Sequence, residues 1–565
     1  MASLSPNHDL ARAVLLDRYA LRKNGHAAED TWSDVAKRVA WATAQGDRPE
    51  VEGLFREMLE EMYFLPGGRI LAAMGAPYRI SSMNCSVLPS PHDSRDGILN
   101  SLKDWVNIQA LGCGVGINMS SLRPHGSPVK GVNGTSSGPL AWMELFSVAT
   151  HRVVQQGGSR RGAAMLMLND SHPDILSFIE AKNTPGILEG ANLSVGVSEE
   201  FMEALAADAS WDFRWNDAIF GSLPARELWS KIINSAWGSG EPGVVFMGRA
   251  NKMSNSWYFA PLTATNPCAE KPMSDNGVCL LGSVNLARHV KNGYMDFPQL
   301  EATVALAVRF LDNVIDASIY PLHRMMISQK MIRQLGIGTM GLADALVACG
   351  LKYGSPEAIS LTEEIFRTIK NAAYFASVSL AQERGSFPAY DRDKFLAGGF
   401  VKTLAPGLRD AIYQHGIRNC FLTSQAPTGS IGKVAGVWAG IEPYFDKVTR
   451  ITNRLGTFEF HAPDSESLVL ANEVTPEQHI DMMAAAQRHI DSAVSKTVNA
   501  PSYHTVEDTG KVYDLAYERG AKSVAYYRDR SREAQVQWHV EEAGTEGLGE
   551  CPTCEDNDSC LVETV

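Results

Sequence analysis

Asn266-Pro267-Cys268-Ala269-Glu270 sets an amide, a thiol and a carboxylate at every second residue. In an extended segment, side chains at that spacing point the same way. Pro267 removes a backbone donor and biases Asn266 toward an extended conformation, so the stretch is expected to be a stiff loop and not a helix. A thiol beside a hydrogen-bonding amide and a possible general base is a reactive arrangement. The alternative is an Asx-turn with a buried cysteine and a surface glutamate, and the rest of the chain has to decide between them.

Outward from this stretch, 565 residues with 45% hydrophobic composition can bury a large core, as a few domains or as one large barrel with appendages. A formal net charge of −13 argues against nucleic acid or a membrane surface as the main partner. The sequence contains no apolar run long enough to span a bilayer, and its N-terminus lacks a signal-peptide pattern, so a cytoplasmic protein is expected. Nine scattered cysteines do not form a secreted disulfide framework. In a reducing compartment they serve as buried hydrophobes, metal ligands or redox groups.

Helical periodicity is expected over residues 47 to 65, with Asp47 as N-cap and Pro49 in the first turn, until Pro66-Gly67-Gly68 stops it. Val304 to Ile319 reads as a buried helix, and Glu363 to Glu383 as another closed by Gly385. Thr475-Pro476-Glu477-Gln478 is a capping-box start for a helix expected to run to about Ala493. Short apolar runs at Val244 to Met247 and Val278 to Val284 alternate with these patterns and predict an α/β architecture. Residues 541 to 565 carry eight acidic side chains, no lysine or arginine, and three cysteines, the composition of a mobile tail.

Several glycine-rich segments could turn backbone N–H groups toward an anion. Pro427-Thr428-Gly429-Ser430-Ile431-Gly432 combines hydroxyls with glycines as a phosphate cradle needs, but lacks a P-loop lysine; a structural turn is the other reading. Gly336-Ile337-Gly338-Thr339-Met340-Gly341 matches the dinucleotide fingerprint by letter. Met325 to Leu335 before it does not read as a strand, so close backbone packing is the expected role. Gly157 to Gly162 holds Arg160 and Arg161, and Arg123 and Lys130 flank proline turns; such clusters suit polyphosphates, although each alone is an ordinary surface charge. Cys551-Pro552-Thr553-Cys554, with Cys560 beyond it, could be a dithiol exchanger or part of a zinc site, and the missing fourth ligand favours exchange.

Together these segments resemble the catalytic subunit of ribonucleotide reductase. Asn266 to Glu270 resembles the family's radical-site finger loop, Asn84-Cys85-Ser86-Val87-Leu88 and Cys279 to Leu286 its two redox-cysteine segments, and Pro427 to Gly432 its substrate-phosphate loop. The resemblance runs in the same order from about residue 10 to residue 540. Arg18-Tyr19, Gly114-Val115-Gly116-Ile117-Asn118, Arg160-Arg161-Gly162-Ala163, Ser495-Lys496-Thr497-Val498-Asn499 and Tyr527-Arg528-Asp529 are similar to the adenosylcobalamin-dependent class II enzymes. Cys113 and Arg530 depart from that pattern, each standing where glycine is usual. There is no room upstream of the N-terminus for an ATP-cone, so control through that domain is not expected.

The resemblance implies a ten-stranded α/β barrel, two antiparallel halves of five parallel strands around a central finger loop. It would span residues 76–540, after an N-terminal helical region at 1–75 and before an acidic redox tail at 541–565. It implies adenosylcobalamin as radical generator, a thiyl radical on Cys268, Glu270 as base on the 3′-hydroxyl and Asn266 as its hydrogen-bond partner. Cys85 and Cys279 would supply two electrons as they become a disulfide, which the tail cysteines Cys551, Cys554 and Cys560 would reduce, drawing on thioredoxin or glutaredoxin. Asn84 and residues Pro427, Thr428, Gly429, Ser430 and Ile431 would bind a ribonucleotide, with the closer look to diphosphate-using enzymes. Asp93, Arg123, Lys130, Gln156 and Arg160 would bind a deoxynucleotide or ATP effector, and the chain could be a monomer or a homodimer.

Two rivals stand beside this reading. One is a class I-like large subunit that takes its radical from a metal-containing small subunit through Tyr526 and Tyr527. The other is an inactive nucleotide-binding regulator with a zinc-binding tail.

Overall fold

The computed structural model describes residues 7–23, 26–129, 131, 133–154, 162–184, 186–453, 456–529, 531 and 538–539. It begins with three helices, α1 (His8–Arg18), α2 (Trp32–Ala44) and α3 (Glu50–Glu60). The strands that matter follow in chain order: β1 (Phe64–Pro66), β2 (Cys85–Leu88), β3 (Gly114–Asn118), β4 (Ala164–Asn169), β5 (Asn192–Gly196), β6 (Gly243–Val245), β7 (Leu281–Asn285), β8 (Gly336–Met340), β9 (Thr497–Ala500) and β10 (Ser523–Arg528). They form a seven-stranded sheet in the order β9-β10-β6-β5-β4-β3-β2 and a three-stranded sheet in the order β8-β7-β1.

Strands β2 through β6 run parallel to one another, and β10 meets β6 antiparallel while pairing parallel with β9. These strands are buried along nearly their whole length, as expected of parallel strands covered on both faces. Backbone bonds also extend the sheets into neighbouring segments. Val87 N donates to Gly277 O, Ile337 N to Leu422 O, and Gln425 N to Ala493 O.

Helix α4 (Phe297–Ala317) backs the three-stranded sheet, and helix α5 (Pro356–Arg384) packs against α4. The sequence specifies their ends chemically. Asp296 accepts from Gln299 N at the start of α4, Ser355 accepts from Ala358 N ahead of Pro356, and Gly385 closes α5 at φ +80°. The Thr475–Gln478 capping box is present and opens α7 (Pro476–Gln487), preceded by α6 (Gly429–Ala435).

The structure corrects several expected boundaries. The helix anticipated over 47–65 covers only Glu50–Glu60, with Pro49 and not Asp47 at its N-cap, and Phe64–Pro66 is a strand paired with β7. Asp47 is instead a buried anchor: Arg309 Nη2 lies 2.7 Å from Oδ1, and Arg384 Nη2 and Asn313 Nδ2 each lie 2.8 Å from Oδ2. Burial would raise its carboxyl, but the bonds from Arg309 and Asn313 hold it well below the usual carboxylate range. Helix α5 begins seven residues earlier than the 363–383 pattern, at its proline, and α7 stops at Gln487, because residues 490–495 turn inward to bond with 423–425. The glycines at 336 and 338 lie within β8, where a Cβ would come within 2.5 Å of Leu281 and 2.4 Å of Ser424 O, so close packing is their role.

Candidate active site

Two short antiparallel arms, Ala264–Thr265 and Pro272–Met273, carry the Asn266 to Glu270 stretch. The stretch is a turn and not an extended segment. Ala269 N donates to Asn266 O at 3.0 Å, and Ala269 sits at φ +63°. Strand alternation therefore does not set the relation of the three functional side chains; the turn does. The alternative reading does not hold: Asn266 Oδ1 accepts from Lys271 N at 2.9 Å, five residues on where an Asx-turn bonds two residues on, and Glu270 is 1% exposed and not on the surface. Asn266 is fully buried, and its Nδ2 has no hydrogen-bond partner among the described residues. Cys268 is half-buried, the most accessible of the three.

The incoming arm lies along one face of β3 in steps of two residues. Asn118 Nδ2 donates to Thr263 O at 3.2 Å, a Cβ on Gly116 would sit 1.8 Å from Thr265 O, and one on Gly114 would sit 3.1 Å from Pro267 Cγ. Alternate residues of a strand share a face. Glycine at 114 and 116 therefore clears a track for another stretch of backbone. From β5, Asn192 Nδ2 donates to Pro267 O at 3.1 Å, one residue from the thiol. On the other side Glu270 O accepts from Ser424 Oγ and Ala493 N, both at 2.9 Å.

Cys85 and Cys279 are brought together. Cys279 N donates to Cys85 O at 2.8 Å, and Asn84 N to Cys279 O at 3.3 Å. A Cβ on Gly114 would be 3.2 Å from Cys85 Sγ, so the first cysteine borders the same glycine as Pro267. Burial pushes the Cys279 thiol well up; the charges of Cys85 and Glu270 add to this, and Lys271 opposes it. These effects place Cys85, Cys279, Glu270 and Lys271 within electrostatic reach of one another.

The segment holding Glu270 O runs on to Pro427 and Thr428. Thr428 adopts a left-handed conformation (φ +56°) and its Oγ1 accepts from Gly440 N at 2.7 Å, fixing the turn into α6, which begins at Gly429 and includes Ser430 and Ile431. The Arg18 guanidinium, from the last turn of α1, donates to Ser430 Oγ. Asn84 Oδ1 is buried with no hydrogen-bond partner among the described residues, against Gly67.

Asp93 and Arg123 lie beyond the C-terminal ends of β2 and β3, away from the turn, and are bonded to each other: Arg123 Nε is 2.8 Å from Asp93 Oδ2. Lys130, Gln156, Arg160, Cys551, Cys554 and Cys560 lie outside the described residues. Tyr526 and Tyr527 are adjacent in β10 and so face opposite sides; Tyr526 OH is 2.9 Å from His504 Nδ1. Asn192, Lys271 and Ser424 escaped the sequence reading. Nothing marks an asparagine at a strand start or a buried lysine, and only adjacency to Glu270 could have flagged Lys271.

Residues 83–470 and 463–527 match the family model described as ribonucleotide reductase, barrel domain, and residues 7–79 match ribonucleotide reductase, all-alpha domain. A vitamin B12-dependent ribonucleoside-diphosphate reductase of Mycobacterium tuberculosis (strain ATCC 25618 / H37Rv) is 35% identical, the alignment covering 96% of this chain and 81% of that one. A protein of the same description from Thermoplasma acidophilum is 34% identical over 85% of this chain and 66% of its own. The ribonucleoside-diphosphate reductase large subunit of Vaccinia virus is 28% identical over 83% and 65%.

Proposed function

The chain belongs to the ribonucleotide reductase family, and from that premise we propose how its residues share the work of reducing ribonucleoside diphosphates to 2′-deoxyribonucleotides. It is an adenosylcobalamin-dependent oxidoreductase of deoxyribonucleotide synthesis. The observation that carries the assignment of roles is the shared backbone bond of Cys85 and Cys279 beside the turn bearing Asn266, Cys268 and Glu270.

When bound, adenosylcobalamin supplies the radical that C2′ reduction requires. The residues present fit such a group in one respect: of the amide, thiol and carboxylate on the turn, the Cys268 thiol is half-buried while Asn266 and Glu270 are enclosed. The face of the turn carrying Cys268 would receive it. Cys268, as a thiyl radical, takes the 3′-hydrogen of the substrate. Glu270 accepts the 3′-hydroxyl proton, and the unpaired Asn266 Nδ2 is a donor ready for the same hydroxyl. As the 2′-hydroxyl leaves as water, Cys85 and Cys279 give up two electrons and two protons and become a disulfide, and Cys268 returns its hydrogen to C3′ and is left as the thiyl radical it was at the start. The Thr428 to Ile431 turn holds the substrate phosphates, with Asn84 and Pro427 beside it.

The finer architecture proposed is a closed ten-stranded barrel. One half is β2 to β6; the other is β10, the 494–500 segment, 421–425, β8 and β7. Parallel bridges Ile337 to Thr423 and Gln425 to Val494, and antiparallel Ser86 to Val278, support it. The barrel would occupy 76–540, with 1–75 as the helical region and 541–565 as a tail passing electrons from thioredoxin or glutaredoxin through Cys551, Cys554 and Cys560. Asp93, Arg123, Lys130, Gln156 and Arg160 would bind the specificity effector, in a monomer or a homodimer. No helix among the described residues is long and apolar enough to cross a membrane.

The deciding experiment is anaerobic turnover of a ribonucleoside diphosphate by the purified chain with adenosylcobalamin and a dithiol alone. Activity that appears only with an iron- or manganese-loaded second protein refutes the cofactor and favours the class I-like rival.

A further inference from the structure

Lys271 is buried to 1% exposure directly after Glu270. Its backbone N–H donates to Asn266 Oδ1, and its Nζ donates to Leu335 O at 2.8 Å and Ser492 Oγ at 2.7 Å. The same ammonium lies 4.9 Å from the centroid of the Phe421 ring. One residue thus ties the return side of the turn to the approach to β8 and to the 490–495 segment, with its charge enclosed. A buried lysine is expensive to keep unless its charge or its bonds are used. Methionine would fill the same volume for a purely structural task.

The groups that face Lys271 show what its charge acts on. Burial pushes the Lys271 ammonium down, while Asp491, Cys279, Cys420 and Glu270 each favour its protonated form. Lys522, whose Nζ donates to Ser492 O and Asp491 O at 2.7 Å, stands on the far side of the same serine. Asp491 is already engaged by Leu422 N, Thr423 N and Tyr374 OH. Cys279 in turn faces Cys85, Glu270 and Cys113, with Lys271 as the cation among them.

We propose that Lys271 is a positioning residue of the reductase cycle: its ammonium locks the return arm of the turn and lends positive charge to Glu270 and to Cys279. The inference rests on the roles assigned above to those two residues. For Glu270 the cation favours the carboxylate that accepts the 3′-hydroxyl proton. For Cys279 it matters when the disulfide is reduced. An external thiolate attacks Cys85 Sγ, the Cys85–Cys279 bond breaks, and Cys279 leaves as a thiolate before taking a proton. The second thiolate of the reductant then releases Cys85, so one dithiol supplies both electrons.

The test compares wild type with Lys271→Met and Lys271→Arg. Loss of the cation raises the Glu270 carboxyl, so the acid limb of the kcat profile should move up by about one pH unit in Lys271→Met, with kcat about tenfold lower and KM little changed. Lys271→Arg should return the limb toward wild type. Without cofactor, oxidised Lys271→Met should regain its two thiols from dithiothreitol several-fold more slowly than wild type, because the leaving thiolate is more basic. Superimposable pH profiles and equal reduction rates would overturn the proposal. Absence of turnover in wild type itself would instead strike at the functional reading. Should Lys271→Met fail to fold, Lys271→Gln carries the same comparison.

Discussion

Cys279 N donates to Cys85 O at 2.8 Å, so two cysteines from distant parts of the sequence share one rung at the junction of the two sheets. The pairing is made by backbone and does not depend on the oxidation state of the sulfurs. The thiols can therefore be oxidised and reduced while β2 and the segment leading into β7 stay in register.

Fully reduced enzyme given substrate and adenosylcobalamin without a reductant should form a stoichiometric burst of deoxynucleotide and then stop. Mass mapping should find Cys85 joined to Cys279. Cys85→Ser and Cys279→Ser should each abolish multiple turnover with dithiothreitol, and sustained turnover by either would remove that cysteine from the electron path.

Cys268→Ser should lose turnover by at least about 10³-fold, since a hydroxyl does not replace a thiol as a hydrogen-atom carrier, yet bind nucleotide with a Kd within about threefold of wild type. Equilibrium binding and product assays on one preparation separate the two effects. Residual deoxynucleotide formation at the wild-type rate would mean that another residue starts the reaction.

Gly116→Ala should displace the turn, because the added methyl would stand 1.8 Å from Thr265 O, a backbone atom that cannot swing aside as a flexible side chain would. The expected cost is about 1–3 kcal/mol or more in denaturant unfolding, together with loss of turnover. Gly126, where a Cβ meets nothing within 4 Å, has a φ of +76° and so makes a poor control; Gly53 in α3, equally open and helical, should accept alanine with a small gain. Equal stability of the Gly116 and Gly53 variants would contradict the close approach.

Lys522 supplies a pH signature. Burial pushes its ammonium down to about 7 despite the attraction of Asp491. Between that value and the unfolded lysine value near 10.4, the unfolded chain holds a proton that the native one lacks, so stability should rise with pH across this window. The gain is on the order of a few kcal/mol, complete above the unfolded value and lost as pH falls through 7. Urea unfolding at pH 7 and pH 9.5 should show it, and Lys522→Met should flatten that part of the dependence.

What the sequence yields here follows the range of the interaction that fixes each feature. The Thr475–Gln478 box and the Ser355-Pro356 start are local chemistry, although apolar spacing alone places the second start seven residues late. Asp47 reads as a cap because its true partners, Arg309, Asn313 and Arg384, arrive from α4 and α5, far away in the sequence. The amide, thiol and carboxylate of the turn were visible as residue types. Their geometry was not, because Ala269 gives no hint of a left-handed backbone. Cys85 and Cys279 could be joined only by likeness to a family, and Asn192 and Lys271 are ordinary letters whose place at the turn only the fold reveals.

The two-residue steps of Thr263, Thr265 and Pro267 along Asn118, Gly116 and Gly114 make β3 a ruler. A chain laid against a ruler can be lengthened or shortened only in whole graduations, and here one graduation is two residues. Removing a single residue between Leu262 and Pro267 would leave every remaining atom with suitable chemistry and present the wrong face of the backbone at each mark. Length in this stretch is therefore specified by parity as much as by sequence, and the reach of the thiol from its anchorage is set by the strand it lies on.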